Sequence, residues 1–171
     1  MEKKKPKAKT SSSSSKLPEE VSRAALAGKA EAVQAYLSAG GDVNARDPQG
    51  RTLLMNAAAD GSLELVRLLL GSGAEIASKD PAGWTALHFA AQEFRPEVSQ
   101  ALLDKGGEVD AQDSFGNTPL WRATFNSRGR GEMIGLLLRA GANPDMKNNA
   151  GVSPKALAHR IANYDVKQFY T

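Results

Sequence analysis

The chain has no cysteine, only two histidines and 6% aromatic residues, and these scarcities exclude several kinds of site. Without cysteine there are neither disulfides nor thiolate metal ligands, which fits a reducing compartment. No segment reaches the ~18 consecutive apolar residues that a membrane-spanning helix needs. The first 16 residues lack the apolar stretch of a secretory signal peptide. We therefore expect a cytoplasmic protein that does not span a membrane and holds no metal or cofactor.

Positive charge is concentrated at the N-terminus. The net charge is +3, but residues 1–16 contain six lysines and one glutamate, a sum of +5, so residues 17–171 carry −2. We predict that residues 1–16 form a disordered Lys/Ser-rich tail, because they cannot bury enough apolar surface to offset the entropy of ordering. The tail is interpreted as a spacer or, alternatively, as a nuclear-import or polyanion-contacting patch at residues 3–7.

The sequence also lacks the residue patterns of catalysis. His88 and His159 are 71 residues apart, and no glycine-rich loop is followed by the Lys-Ser/Thr pair that binds phosphate. Without cysteine, no Cys/His metal spacing exists. We therefore expect a protein that is not an enzyme, with no catalytic residues and no metal site.

Glycine and aspartate recur along the chain with a period of about 33 residues. One set of glycines has spacings of 33, 33 and 35 residues, at Gly50, Gly83, Gly116 and Gly151. A second set follows in step at Gly40, Gly73, Gly106 and Gly141. Three aspartates each precede a glycine of the first set by three residues: Asp47, Asp80 and Asp113. Several residue types that recur in phase indicate a repeat protein.

Each period is predicted to fold as helix, turn, helix and finger-like loop. In residues 51–80, Thr52 can cap a first helix, Gly61 ends it, and a second helix begins near Ser62. Apolar residues follow at helical spacing in both segments. One such unit cannot bury its apolar faces alone, so stacked units would share a core. The sequence therefore predicts an all-α solenoid.

The stretch from Gly83 to Ala91, GWTALHFAA, closely resembles the ankyrin signature Gly-x-Thr-Pro-Leu-His-x-Ala-Ala, and residues 50–55 and 116–121 are near matches. This resemblance implies an ankyrin-repeat solenoid of about four to five repeats, including caps, over residues 17–171. The expected repeats are 17–49, 50–82, 83–115 and 116–150, with a C-terminal cap at 151–171. The resemblance also implies a structural role for His88, hydrogen-bonded to neighbouring loops.

Two departures from the pattern lie inside the array. The turn glycine is replaced by Phe94 in the third repeat, and two residues are inserted within residues 126–131 of the fourth. The insertion is either a neutral surface feature or part of a binding face. A closing helix from about Tyr164 to Tyr170 is expected to pack on the fourth repeat, with a partner-facing aromatic end as the alternative.

In ankyrin proteins the fingers and first helices form a concave surface that contacts partners, so the resemblance implies candidate positions. The predicted partner-binding residues are Trp84, Phe94, Phe115, Trp121, Arg122, Phe125, Asn126, Arg128 and Arg130. Equivalent positions in this and other repeats include Met55, Asn56, Phe89 and Asn117. Alternatively, Trp121 and Phe125 fill space between repeats. Alanine at Trp84, Phe115 or Arg128 is expected to weaken binding by more than about 1 kcal/mol at one or more of them.

We expect a protein that binds another protein by non-catalytic occlusion and is a monomer when free. Residues 117–170 look similar to small bacterial ankyrin proteins encoded beside secreted toxins, which implies an immunity protein that inhibits a cognate toxin or effector. One alternative is a eukaryotic-type scaffold or regulatory adaptor with a basic import tail. Another is an RNA-contacting protein that uses the tail with Arg128 and Arg130, although nucleic acid is not the expected partner.

Overall fold

A computed structural model describes residues 16–170 of the chain, in which helices come in pairs separated by long loops. The helices in this range are α1 (Glu19–Leu26), α2 (Ala30–Ser38), α3 (Leu53–Asp60), α4 (Leu63–Gly71), α5 (Ala86–Gln92), α6 (Pro96–Asp104), α7 (Pro119–Phe125), α8 (Glu132–Arg139), α9 (Pro154–Arg160) and a 3₁₀ helix (Val166–Tyr170). The predicted all-α repeat solenoid is confirmed. The predicted tail lies outside the described residues except for Lys16. None of the helices in residues 16–170 has the length and apolar character to cross a membrane.

Polar residues determine where the first helix of a pair begins. Thr52, Thr118 and Ser153 precede α3, α7 and α9, and each side-chain oxygen accepts a hydrogen bond from the backbone N–H three residues later. Each cap satisfies a donor that the first helical turn would otherwise leave free. Gly61 follows α3 in the left-handed conformation at φ 94°, and Ser62 caps α4. The predicted helix boundaries in this repeat therefore follow from local chemistry.

The helices stack into two adjacent rows. The first helices α1, α3, α5, α7 and α9 pack side by side, and the second helices α2, α4, α6 and α8 form the other row. Ala57, Ala58, Ala90 and Ala91 have no exposed surface, and their small side chains let the first helices approach closely. Larger side chains such as Leu102, also fully buried, fill the space between successive pairs.

An aspartate or asparagine organises each finger loop that follows α2, α4, α6 and α8. Oδ1 of Asp47, Asp80, Asp113 or Asn148 accepts hydrogen bonds from the backbone N–H groups two and four residues later. These bonds close the turn at the finger tip. The periodic aspartates therefore brace the finger loops.

Neighbouring fingers are joined by hydrogen bonds that repeat with the period of the sequence. Arg46 Nη1 donates to the Lys79 carbonyl at 2.9 Å, and Lys79 Nζ donates to the Gln112 carbonyl, also at 2.9 Å. Further along, the Asn149 N–H donates to the Phe115 carbonyl at 2.9 Å. The fingers consequently form one connected ribbon beside the helices.

The closing helix begins later in the sequence than predicted. The sequence predicts a closing helix from about Tyr164, whereas residues 162–164 form a bend and a 3₁₀ helix begins at Val166. Val166 is fully buried, and the Tyr170 hydroxyl shares a hydrogen bond with α7. Phe169 packs against the core, and the Tyr164 ring, although 46% exposed, lies against Gly129 of the fourth repeat, where a Cβ would be 3.1 Å from Tyr164 Cδ1. The closing segment thus packs on the fourth repeat.

Candidate functional site

Arg122, in α7, occupies the centre of the candidate site. Its Nη2 donates to Oδ2 of Asp113 in the preceding finger at 2.5 Å. The Asp113 side chain is fully buried, and that of Arg122 is 16% exposed. The guanidinium carbon lies 4.2 Å from the ring centroid of Trp84 and 5.7 Å from that of Trp121. The ion pair therefore fixes a planar cation between two indole rings, where cation–π attraction adds to the charge pairing.

The negative charge of Asp113 is maintained by its hydrogen bonds. Burial alone would raise the pKa of the Asp113 carboxyl, but donation from Arg122 and from the backbone of Asn117 and Phe115 outweighs burial and lowers it. Asp113 is therefore ionised at neutral pH. Its carboxylate connects the finger to α7 and holds the Arg122 side chain in one orientation.

An arginine–aromatic row, which we define by the side chains in contact, crosses three successive helix pairs: Arg51, Phe89, Trp84, Arg122, Trp121 and Phe125. The Arg51 guanidinium carbon lies 4.9 Å from the Phe89 centroid, and the centroids of Phe89 and Trp84 are 5.0 Å apart. Beyond Arg122, Trp121 stacks on Phe125 with centroids 5.3 Å apart and ring planes at 13°. Because each side chain is held by a neighbour, the row is organised before any partner binds.

The row becomes more exposed toward the fourth helix pair. Phe89 is 6% exposed and belongs to the core, Trp84 and Trp121 are half-buried, and Phe125 is 60% exposed. Phe125 therefore does not fill space between repeats, which was one of its two predicted roles. Aromatic surface is offered to solvent at the end of α7.

The insertion loop, residues 126–131, folds back onto the third helix pair. Ser127 is fully buried, and its carbonyl accepts hydrogen bonds from Arg130 N at 2.9 Å and Arg130 Nε at 3.3 Å. The Arg130 guanidinium carbon lies 3.9 Å from the ring centroid of Phe94. Positive φ angles at Arg128 (48°) and Gly129 (82°) form the turn. The inserted residues are thus built into the stack.

A polar cleft of about 250 Å³, which we name the insertion cleft, opens beside this loop; it is lined by Gln92, Glu93, Asn126, Arg128 and Arg130. Asn126 Nδ2 donates to the Arg122 carbonyl at 3.1 Å, so the cleft adjoins the exposed end of the arginine–aromatic row. Two guanidinium groups and three other polar side chains line a space large enough for one small polar group.

The structure places most of the predicted binding residues in two adjoining groups. Trp84, Trp121, Arg122 and Phe125 belong to the row, whereas Phe94, Asn126, Arg128 and Arg130 surround the cleft. Phe115 stands at a finger tip, 64% exposed, and no ring contact joins it to the row within residues 16–170.

Four positions expected on the partner-facing surface are buried instead: Met55, Asn56, Phe89 and Asn117. Their side chains turn toward the finger loops. Met55 Sδ accepts from the Thr52 N–H at 3.4 Å, and Asn56 Nδ2 donates to Asp47 Oδ2 at 3.0 Å. The prediction that these four residues face a partner is wrong, because the finger folds over the start of each first helix.

The pairing of Arg122 with Asp113 was missed from the sequence, although a spacing signals it. Arg122 follows Asp113 by nine residues, as Asn56 follows Asp47, and both donate to the carboxylate of the preceding finger. The third repeat has Phe89 at this position, which carries no donor. A nitrogen donor nine residues after the finger aspartate therefore identifies this contact.

The two histidines differ in their surroundings. His88 is fully buried, with Nδ1 3.0 Å from Thr85 Oγ1 and Nε2 3.1 Å from the Asn117 carbonyl, so Nε2 carries the proton. Burial lowers the pKa of His88 to about 4, which leaves the ring neutral at pH 7. This geometry supports the predicted structural role of His88. His159 lies exposed on α9.

Comparison with known protein families gives one result. A family model described as ankyrin repeats (3 copies) matches residues 21–113 and 72–148, which together span residues 21–148. No curated protein matches the chain significantly. The family match covers most of α1 and all of α2 to α8, including the arginine–aromatic row and the insertion cleft.

Proposed function

The chain belongs to the ankyrin-repeat family, whose stacks are protein–protein interaction modules, and we propose that it binds its partner through the exposed side chains of the arginine–aromatic row and the insertion cleft. The observation that supports this most directly is the row itself, which crosses three helix pairs and ends in solvent-exposed Phe125. Aromatic and arginine side chains are the residues that contribute most to protein interfaces.

The row has the features of a preformed binding surface. Arg51 reaches from one repeat to Phe89 of the next, and Trp84 lies under Arg122 of the repeat after that. These contacts restrict the side chains in the free protein, so little rotamer entropy is lost when a partner binds. The arginines favour a partner surface that is acidic or mixed in charge.

Binding would act by occlusion, without chemistry. We propose that residues 17–171 form the binding domain, that residues 1–16 are a spacer, and that the free protein is a monomer. Deleting residues 1–16 should then leave partner affinity unchanged, whereas a loss of affinity would assign the tail to the interface.

The test of the binding surface is capture of a partner from the organism that encodes the chain, followed by calorimetry with the captured protein. We expect Phe125→Ala and Trp121→Ala each to weaken binding by more than about 1 kcal/mol, roughly a factor of five to ten. Leu26→Ala is the matched control, since Leu26 is an exposed apolar residue of α1, 42% exposed and remote from the row. Wild-type affinity in folded Phe125 and Trp121 variants would place the interface elsewhere.

A narrower proposal is that the partner is a secreted toxin and that the chain is an immunity protein in the producer's cytoplasm. Its support is the similarity of residues 117–170 to small bacterial ankyrin proteins encoded beside toxins. The test is to express the protein encoded by the adjacent gene with and without this chain. Growth arrest relieved by the wild-type chain, but not by the Phe125→Ala variant, is the expected result. A harmless neighbour would end this narrower proposal and leave the binding surface untouched.

A further inference from the structure

We propose that the insertion cleft is a carboxylate receptor, which takes an aspartate or glutamate side chain of the partner protein while an adjacent apolar side chain packs on Phe125. This inference rests on the proposed function and identifies the chemistry that the surface recognises.

The cleft contains guanidinium donors that the fold leaves unused. Arg130 uses Nε to bind the Ser127 carbonyl, which leaves both of its terminal nitrogens without a partner among the described residues. Arg128 makes no hydrogen bond in that part of the chain, and no carboxylate of residues 16–170 pairs with either arginine. Two forked cations that line one small space match the geometry of a carboxylate, which accepts paired N–H donors.

The loop and its neighbours restrict the orientation of Arg130. The Arg130 guanidinium carbon lies over the Phe94 ring, 3.9 Å from its centroid, so this contact restricts the orientation of Arg130 while its terminal N–H groups remain available. A Cβ at residue 131 would overlap the Phe169 ring, so that ring closes directly over the Gly131 backbone. Phe94 itself adopts φ 55°, where the equivalent position of the second repeat has Gly61. An aromatic residue is retained in a conformation that normally favours glycine, and its ring is what supports Arg130.

The surrounding charges favour one carboxylate over a polyanion. Glu93 lines the same cleft and would repel a chain of phosphates, while two arginines leave the cleft with a net charge of +1 for a single anionic group. Residues 17–171 carry −2 in total, so the net charge of this part does not attract nucleic acid. The exposed ring of Phe125 lies one residue before Asn126 of the cleft, which suits an acidic residue next to an apolar one.

The experiment uses the full-length ¹⁵N-labelled protein and two probe peptides, N-acetyl-Leu-Asp-Leu-amide and its Asn counterpart. Titrations are followed by NMR at the backbone N–H and side-chain Nε–H resonances of Arg128 and Arg130. The Asp peptide should shift these resonances saturably. The Asn peptide should bind at least about tenfold more weakly, because it cannot form the charge-assisted hydrogen bonds. The double variant Arg128→Gln/Arg130→Gln should lose the response, whereas Arg139→Gln, an exposed arginine at the end of α8, should retain it.

The inference is overturned if the two peptides bind equally, if neither gives saturable shifts, or if the double variant responds like the wild type. A short oligouridine RNA that shifts the same resonances at lower concentration than the Asp peptide would assign the cleft to phosphate instead. Failure here can be separated from failure of the binding surface. Partner capture that is lost with Phe125→Ala but unaffected by Arg128→Gln/Arg130→Gln keeps the proposed function and removes the carboxylate receptor.

Discussion

Replacing Arg122 with alanine is expected to lower the free energy of unfolding by about 3 kcal/mol. The substitution removes the ion pair with Asp113 and the cation that lies over the Trp84 ring. Asp113 would remain buried as an anion with only backbone donors and one weak contact from Asn117, at 3.4 Å.

The magnitude follows from how completely the pair is buried. Removing one partner of a buried ion pair costs about 3–5 kcal/mol, and stacking over an indole contributes about 0.5–2 kcal/mol. The expected loss lies below the sum of these two ranges because Asp113 keeps its two backbone N–H donors, and Asp80 braces the preceding finger with such donors alone. Lysine at residue 122 should recover only part of the loss, because its ammonium cannot lie flat over the ring.

The loss should also depend on pH in a defined direction. The folded-state pKa of Asp113 lies below its ordinary value of 3.8, so its contribution is present above that value and is lost as pH falls through the folded-state pKa. Without Arg122 the pKa rises, and protonation then relieves the buried charge. The difference between wild type and variant is therefore largest at neutral pH and shrinks below about pH 4.

Urea unfolding monitored by far-UV circular dichroism and tryptophan fluorescence measures this difference, since Trp84 and Trp121 flank the substituted side chain. Asp113→Asn in the Arg122→Ala background should restore part of the stability, because it removes the unpaired charge. Arg139→Ala, at an exposed site, should stay within about 0.5 kcal/mol of wild type. An Arg122→Ala variant as stable as wild type, or one that Asp113→Asn destabilises further, would refute the reasoning.

Two further predictions concern buried groups. His88 binds no proton in the folded state down to about pH 4, whereas the unfolded chain binds one below 6.5, so stability should be lost as pH falls through this window. Urea unfolding should show that the free energy of unfolding is about 2 kcal/mol lower at pH 5 than at pH 7. His88→Asn should abolish this difference, whereas the exposed-site control His159→Gln should retain it. The same difference in the His88→Asn variant as in the wild type would exclude His88 as its origin. Phe94→Gly relieves about 1–2 kcal/mol of backbone strain but removes a half-buried ring, so the free energy of unfolding should change by less than about 1 kcal/mol. The Arg130 Nε–H resonance should shift, because the ring beneath the guanidinium is lost. A loss of more than about 2 kcal/mol would show that the main role of Phe94 is packing in the core, not support of Arg130.

Much of the fold was predictable because its signals are local. Thr52, Gly61 and Ser62 each act on backbone groups within a few residues, so the helix limits of the second repeat follow from the sequence directly. The periodic aspartates likewise bond to N–H groups two and four residues away. The start of the closing segment was less predictable, because residues 162–164 bend before Val166 reaches the core.

The site was harder to predict because its contacts cross between repeats. The periodic pattern places Phe89 on the first helix of its repeat, but only the structure shows that Arg51 of the previous repeat covers it. Arg130 reaches Phe94, 36 residues earlier, through a loop whose conformation depends on positive φ at Arg128. Residue type showed that aromatic and arginine side chains are concentrated in the third and fourth repeats, whereas which of them face solvent depends on packing between neighbours.

The C-terminal 3₁₀ helix has a consequence for how binding responds to heat. In a linear stack each unit is stabilised only by its neighbours, so a five-residue 3₁₀ helix opens more often than the helix pairs do. This short helix also holds the insertion loop, because Phe169 rests on Gly131 and the Tyr170 hydroxyl bonds to Thr124. Opening of the 3₁₀ helix would release the loop while the helix pairs stay folded. The affinity of the protein for its partner should therefore begin to fall at temperatures well below its melting point.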